Sequence, residues 1–400
     1  MKRNIITGID AGTSTIKVVI TEQKKGSRGL NILGVSKKSS QGIRKGFIAN
    51  FEEASESVAD AIRSAEKSAG VQIKRAYLAV GGISLGSAKT KGMIMVSRAD
   101  GEVTRHDINR VIAQSEANLS NLSNKRIIHT FPLGYRIDGN QVMGKPIGMK
   151  GAKLEVETLF ITCLNQHLSD LIKTVESSGV AVDDIVASPL AASFVALDSH
   201  QKEVGCVLAN IGAGTVSIII FEDGSPVSLE IFPIGSTHIT NDIALGLQVP
   251  LEEAELLKTG YGSETSFPKR RLSDIIEARL NDIFELIESH LKKINRSGLL
   301  PAGVILTGGG SSLVSLEDIA KASLRLPAKV DTPFRTQSKH GISVSGSLKN
   351  EIADNPEWSV ALGLCMMGLN EENRGGGVVG GKIVSRSGNA VKRWLRSFLP

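Results

Sequence analysis

Short β-branched apolar runs, broken by Gly/Thr/Ser turns, open the chain, and the same pattern returns near its middle. Ile5-Ile6-Thr7-Gly8-Ile9-Asp10 reads as a strand, Ala11-Gly12-Thr13-Ser14 as a tight turn, and Ile16-Lys17-Val18-Val19-Ile20 as a second strand. Val207-Leu208-Ala209-Asn210, the turn Ile211-Gly212-Ala213-Gly214-Thr215 and Val216-Ser217-Ile218-Ile219-Ile220-Phe221 repeat that order. In each copy a further turn, Lys24 to Gly29 or Glu222 to Pro226, leads to a third strand-like stretch, Leu30 to Leu33 or Val227 to Ile231. Two matching three-strand meanders predict a duplicated domain.

Between and after them the period changes. Ala54, Val58, Ala61, Ile62, Ala65 and Ala69 lie at helical spacing and stop at Gly70, which predicts a helix over Phe51 to Ala69. Tyr77 to Val80 follows as a strand. From about Ile83 to Lys153 the texture differs: a helix capped by Thr104 with Asp107 three residues on, then strand candidates Ile127 to Phe131 and Gly134 to Gly139. This reads as an inserted small α+β domain. Strand Glu157 to Leu164, helix His167 to Ser178, strand Val182 to Ala187 and helix Leu190 to Leu197 return the chain to an α/β layout. Ile239 to about Arg296 is mostly helical, with a Gly/Ser/Pro loop at Gly262 to Pro268. Val304-Ile305-Leu306-Thr307 is a short strand that runs into Gly308-Gly309-Gly310-Ser311-Ser312 and a following helix.

Glycine matters in these turns because, without Cβ, it lets backbone N–H groups curl around an anion. Two such loops facing each other would clamp a polyphosphate. Asp10, at the end of its strand, is placed to hold the hydration shell of Mg2+, which keeps several waters and takes one or two carboxylates plus phosphate oxygens. The third glycine turn, at a helix amino terminus, would be a third wall of the same site.

Composition narrows the classes. In 400 residues, 41% are apolar and 22% charged, as in a folded protein with a sizeable core. The net charge of +6 permits an anionic partner. Aromatic residues make up 4%, and no basic stretch is interleaved with them, which argues against nucleic acid. Cys163, Cys206 and Cys365 lie far apart in apolar contexts and read as buried thiols in a reducing compartment. His129 and His238 read as structural residues, Trp358 as a packing anchor, and Lys269-Arg270-Arg271 as a solvated loop. Asp10 cuts short the apolar stretch after Lys2 and Arg3, so no signal peptide is expected, and no run approaches the ~20 apolar residues of a spanning helix.

The end of the chain is different again. Arg374 to Gly388 is Gly/Ser-rich and reads as a flexible linker. Beyond it Val391, Trp394, Leu395, Phe398 and Leu399 fall on one helical face, with Lys392, Arg393 and Arg396 on the other and Asn389 as cap. Such a helix suits the surface of an anionic membrane; docking on protein is the alternative.

Loop one, loop two, then Thr-Gly-Gly-Gly, in that order, resemble the actin, Hsp70 and sugar-kinase superfamily, and within it the bacterial cell-division family FtsA. Gly8 to Lys17 is similar to that family's first phosphate loop and Gly303 to Gly310 to its adenosine segment. Ile127 to Gly148, with His129, Pro132, Tyr135, Asp138 and Pro146, resembles its inserted subdomain. The resemblance implies an α/β, actin-like duplicated fold of two ribonuclease-H-like halves, with an inserted small α+β subdomain and a C-terminal amphipathic helix. Half I would span 1–82 and 157–200 around an insert at 83–156. Half II would have its core at 201–235 and 301–345 around a helical subdomain at 236–300. A return to half I at 346–372, a linker at 373–388 and the membrane helix at 389–400 would follow.

The resemblance further implies ATP and Mg2+ as cofactors. The nucleotide would be held by Asp10, Gly12, Thr13, Ser14, Lys17, Asn210, Gly212, Ala213, Gly214, Thr215, Gly308, Gly309, Gly310 and Ser311, with Glu255 and Lys258 beside ribose and base. Implied partners are FtsZ (at the helical region Gly235 to Leu300), further copies in a filament, other division proteins, and the anionic membrane. The implied location is cytoplasmic, peripheral on the inner face of the membrane at the division site. A PilM-like pilus-assembly relative would share the loops and lack the tail; a phosphotransferase would need a carboxylate base, for which there is no motif. Asn210 stands where the family usually has Asp, Ala213 where it has glycine, and short Ser188 where relatives carry a Glu or Gln that orients water. An amide brings no charge to Mg2+ and cannot act as a base. ATP hydrolysis is therefore expected to be slow or undetectable; phosphate release at roughly 1 per second or faster, the ordinary enzymatic range, would overturn this.

Overall fold

The computed structural model describes residues 4–23, 29–120, 122–260, 269–313, 315–331, 343–344, 352 and 355–372. Most of the Lys24–Gly29 turn, the Gly262–Pro268 loop, the 373–388 linker and the amphipathic stretch 389–400 lie outside the described residues.

The first meander is β1 (Asn4–Ala11), β2 (Thr15–Gln23) and β3 (Leu30–Ser39), antiparallel throughout. The short pair β4 (Ile43–Arg44) and β5 (Phe47–Ile48) leads to α1 (Phe51–Ala69), capped by Asn50 and closed by Gly70 at φ +65°. β3 runs past Leu33 because Gly34 lets α1 close in: a Cβ there would lie 2.4 Å from Ala69 N. β6 (Arg75–Val80) then pairs parallel with β1.

The inserted unit comprises β7 (Gly86–Met95), α2 (Arg105–Ala117), β8 (Lys125–Ile137), β9 (Asn140–Val142) and β10 (Lys153–Leu164), in the sheet order β7-β10-β8-β9. Asp107 closes the capping box of α2. Burial alone would raise its pKa, but hydrogen bonds from Thr104 and Ser97 hold it well below the usual carboxylate range. The two strand candidates around Pro132 form one strand, β8, because a bulge opposite Glu157/Thr158 absorbs the proline. β10 likewise runs unbroken across position 156, so the insert and half I share a strand.

Helix α3 (Asn165–Glu176), β11 (Ala181–Ala187), α4 (Ser188–Ala196) and α5 (Ser199–Val204) complete half I, with β11 parallel to β6. Half II repeats the plan. Its meander is β12 (Cys206–Ile211), β13 (Val216–Glu222) and β14 (Ser225–Phe232), followed by α6 (Ser236–Leu247), α7 (Leu251–Lys258) and α8 (Lys269–Lys293). Lys269, Arg270 and Arg271 thus open a helix rather than a loop, their exposed face turned to water. β15 (Val304–Thr307) lies parallel to β12, and α9 (Leu316–Leu324) and β16 (Ala328–Val330) follow. The short β17 (Ser343–Val344) pairs with β3, and α10 (Ser359–Glu372) returns to half I.

The sheet orders β3-β2-β1-β6-β11 and β14-β13-β12-β15-β16 are the same arrangement twice. Strand alternation then divides the core of half II. Val207, Ala209, Ile211, Val216, Ile218 and Ile220 face α6, α8 and α9, while Cys206, Leu208, Ile219 and Phe221 face the other way, into the core shared with half I. The insert meets half II along β14, where Ser87 Oγ donates to Leu229 O (2.7 Å) and accepts from Leu229 N (3.1 Å).

Within half I, α10 crosses α4 and β1, and α4 in turn packs on β12, β13 and β15 of half II. A Cβ on Gly363 would stand 1.8 Å from Ala191 O, and one on Gly8 2.4 Å from Ala361 O. Gly363→Val is therefore expected to cost about 3 kcal/mol, the upper end for overpacking a core. A control at Gly134→Ala, whose Cβ meets nothing within 4 Å, leaves the thermal midpoint near that of the wild type.

Candidate functional site

Loop 1 and loop 2 close with the same backbone bond, Gly12 N to Thr15 O at 3.1 Å and Gly212 N to Thr215 O at 2.9 Å. They face each other so closely that a Cβ on Gly214 would lie 3.3 Å from Thr13 Cγ2. Thr13 Oγ1 accepts from Gly46 N at 3.3 Å. Gly46 in turn packs on Gly82, and a Cβ on the neighbouring Gly81 would be 2.9 Å from Ser188 Oγ. Loop 1, the end of β6 and the start of α4 are thus stacked.

Loop 2 is seated on α6. Its carbonyls take two of the N–H groups that a helix start leaves free, Ser236 N to Gly212 O (2.9 Å) and Thr237 N to Ala213 O (3.0 Å). Gly235 allows that approach, since a Cβ there would lie 2.4 Å from Ala213 O, and its own N–H donates to His238 Nδ1 at 3.1 Å. His129 accepts from Ala187 N through Nε2 (3.0 Å), and burial pushes its pKa down to about 3, which keeps it neutral.

The three glycines after β15 have different work. Gly308 (φ +91°) and Gly310 are packed on loop 2: Cβ atoms would fall 2.2 Å from Asn210 Oδ1 and 2.6 Å from Ile211 Cγ2. Gly309 is exposed, and its nearest neighbour, at 4.0 Å from a Cβ, is Glu357 Oε2. Ser311 is buried, its Oγ donating to Gly308 O at 2.6 Å.

Charge is concentrated on the loop 1 side. Asp10 and Lys17 are direct cross-strand partners on β1 and β2. Burial raises the pKa of Asp10, Lys17 opposes the shift, and Glu357 adds to it. A divalent cation would relieve that penalty, so Asp10 fits an outer carboxylate of an Mg2+ site. The corresponding pair in half II, Asn210 and Ser217, carries no charge. On α7, Glu255 accepts from Thr240 Oγ1 (2.5 Å) and Lys258 Nζ (2.6 Å), while Lys258, nearly buried, also reaches Ser236 O at 3.4 Å. Burial alone would raise the Glu255 pKa; these bonds bring it below the usual value. Glu255 and Lys258 therefore stand on the helix start that carries loop 2.

Sequence reasoning missed Glu357, Lys37, Thr240 and the Gly46 turn. Glu357 stands beside Trp358, which is buried as a packing anchor should be.

Two halves of one topology, opposed across paired glycine loops, define an actin-like protein. In solved structures the fold recurs in the PilM-PilN type IV pilus biogenesis complex (TM-score 0.68, 17% identity, 91% of this chain and 98% of that one). It recurs too in MreB5 of Spiroplasma citri bound to ADP (TM-score 0.52, 12% identity, 93% and 99%). The family model for cell division protein FtsA matches residues 207–363, and the model for the SHS2 domain inserted in FtsA matches 82–162. The chain is 30% identical to cell division protein FtsA of Borreliella burgdorferi (92% of this chain, 91% of that protein) and 29% to that of Pseudomonas aeruginosa (93% and 91%). It belongs to the FtsA family and has a role in cell division.

A branched side chain on Gly214 would wedge the loops apart. Under the MgATP reading proposed below, Gly214→Val is expected to weaken binding at least tenfold, about 1.4 kcal/mol, by calorimetry. Gly86→Ala, whose Cβ meets nothing, leaves it unchanged.

Proposed function

We propose that this protein binds ATP with Mg2+ between its two halves, self-associates into filaments, and tethers FtsZ filaments to the inner face of the cytoplasmic membrane. The observation that carries the reading is the pair of opposed loops, Asp10–Thr15 and Asn210–Thr215, in van der Waals reach of each other with Gly309 open beside them. Asp10 would hold Mg2+ through water, Lys17 the phosphates, and Glu255 and Lys258 the ribose and base. The bound metal would neutralise phosphate charge. A neutral Asn210 cannot act as a base and Ser188 is short and packed at Gly81, so ATP acts as a ligand more than as a substrate.

Surface chemistry supports the partner assignments. Leu245, Leu251 and Leu256 are exposed on the helical region α6–α7, an apolar surface suited to the FtsZ tail. On the insert, Met93, Met95, Met143 and Met149 are exposed, as a contact with filament neighbours or other division proteins requires. Among the described residues no helix is long and apolar enough to cross a membrane. Attachment would rest on Val391, Lys392, Arg393, Trp394, Leu395, Arg396, Phe398 and Leu399, and one short helix binds reversibly, so firm attachment needs many tails presented by a filament.

The test is co-sedimentation with anionic vesicles, comparing the full chain with one ending at Asn373, with and without ATP. Only the full chain is expected to pellet, in an amount that ATP changes. Binding by neither form would make the tail a protein-docking helix and overturn the tether.

A further inference from the structure

Among the described residues of the returning segment, Glu357 is the carboxylate that reaches the cleft. It stands on the 3-10 turn Pro356–Trp358, and that turn is tied to half II by Thr307 Oγ1 and Gly308 N, which donate to Pro356 O at 3.0 and 3.3 Å. Its carboxylate is fixed by Asn355 Nδ2 at 2.6 Å and by Lys37 Nζ at 2.8 and 2.9 Å. On its inner side Oε2 lies 4.0 Å from Lys17 Nζ, and the two side chains are each only 9% exposed. At that burial the attraction is far less screened than at a surface. Lys17 Nζ also donates to Thr15 Oγ1 at 2.8 Å, so it already rests on loop 1.

Of the two partners, Lys17 is the one free to change. Glu357 is held by Asn355 and Lys37, whereas Lys17 has a flexible four-carbon stem. We propose that Glu357 is an internal counterion for Lys17, compensating its charge when no polyphosphate is present and yielding it to the phosphates when they seat on loop 1, while keeping Lys37 as its own partner. The inference rests on the nucleotide reading above and adds a positioning residue to it: Glu357 acts on the ligand through Lys17. Because the carboxylate competes with phosphate for one ammonium, removing its charge strengthens anion binding. A merely structural Glu357, clamping the return segment to β3 through Lys37, would lower stability and leave affinity alone or weaken it.

The experiment is a double-mutant cycle on the full chain with Glu357→Gln, Lys17→Met and the double variant, titrated with MgATP and with inorganic tripolyphosphate. Glu357→Gln is expected to tighten both ligands about 3- to 10-fold, and the gain to vanish in the Lys17→Met background. An unchanged or weaker affinity, or a gain that persists without Lys17, would overturn the proposal. Thermal unfolding of the same four proteins without ligand reads the pair itself, whose midpoint losses are expected to be non-additive. Additive losses with ATP binding intact sink the counterion and leave the nucleotide reading standing. Non-additive losses in a wild type that binds neither ligand sink the nucleotide reading, and the exchange with it.

Discussion

The contact on which the molecule depends is the crossing of α4 and α10, two helices brought to backbone distance. Gly363 against Ala191, and Gly8 against Ala361, leave no room for a side-chain atom. The crossing holds α4 against the first strand and returning helix of half I, and α4 carries that constraint to half II by packing on β12, β13 and β15. The positions of loop 1, the β6 end and Ser188 follow from it, since α4 begins at Ser188.

The two glycine loops are copies in backbone, one flanked by charged residues and the other by neutral ones. Loop 1 has Asp10 across from Lys17, with Glu357 and Lys37 continuing the alternation of signs. At the same places loop 2 has Asn210 and Ser217, and its carbonyls Gly212 O and Ala213 O are taken by the start of α6. The duplication therefore supplied two cradles and only one charged wall.

Much of the fold was legible because period and punctuation agree. The alternating runs before and after each glycine turn gave the meanders, and α1 ended where Gly70 predicts. The sequence was harder to read where tertiary contact overrode a local signal. Pro132 looked like a break, yet a bulge carries β8 through it; Lys269-Arg270-Arg271 looked like a loop because a helix with a wet face needs no apolar residue there. In the site, motif residues could be named from spacing alone. Glu357 could not, since its partners Lys17 and Lys37 are hundreds of positions away and only the return of the chain brings them together. The differing jobs of Gly308, Gly309 and Gly310 were also hidden, because identical residues carry no mark of which faces a neighbour and which faces solvent.

The shared strand β10 has a mechanical consequence. Its root, with Leu159, Ile161 and Cys163, is embedded in the core of half I, and its far end, with Leu154 and Val156, belongs to the separate core of the insert. The Ser87–Leu229 clasp bears on this beam near the root, opposite Ile161, while Met95 lies at the tip, opposite Lys153. Those eight residues span about 26 Å of strand at 3.3 Å each. The insert is thus a cantilever loaded close to its fulcrum: a displacement of half II too small to disturb the clasp emerges, enlarged, at the methionine-bearing end.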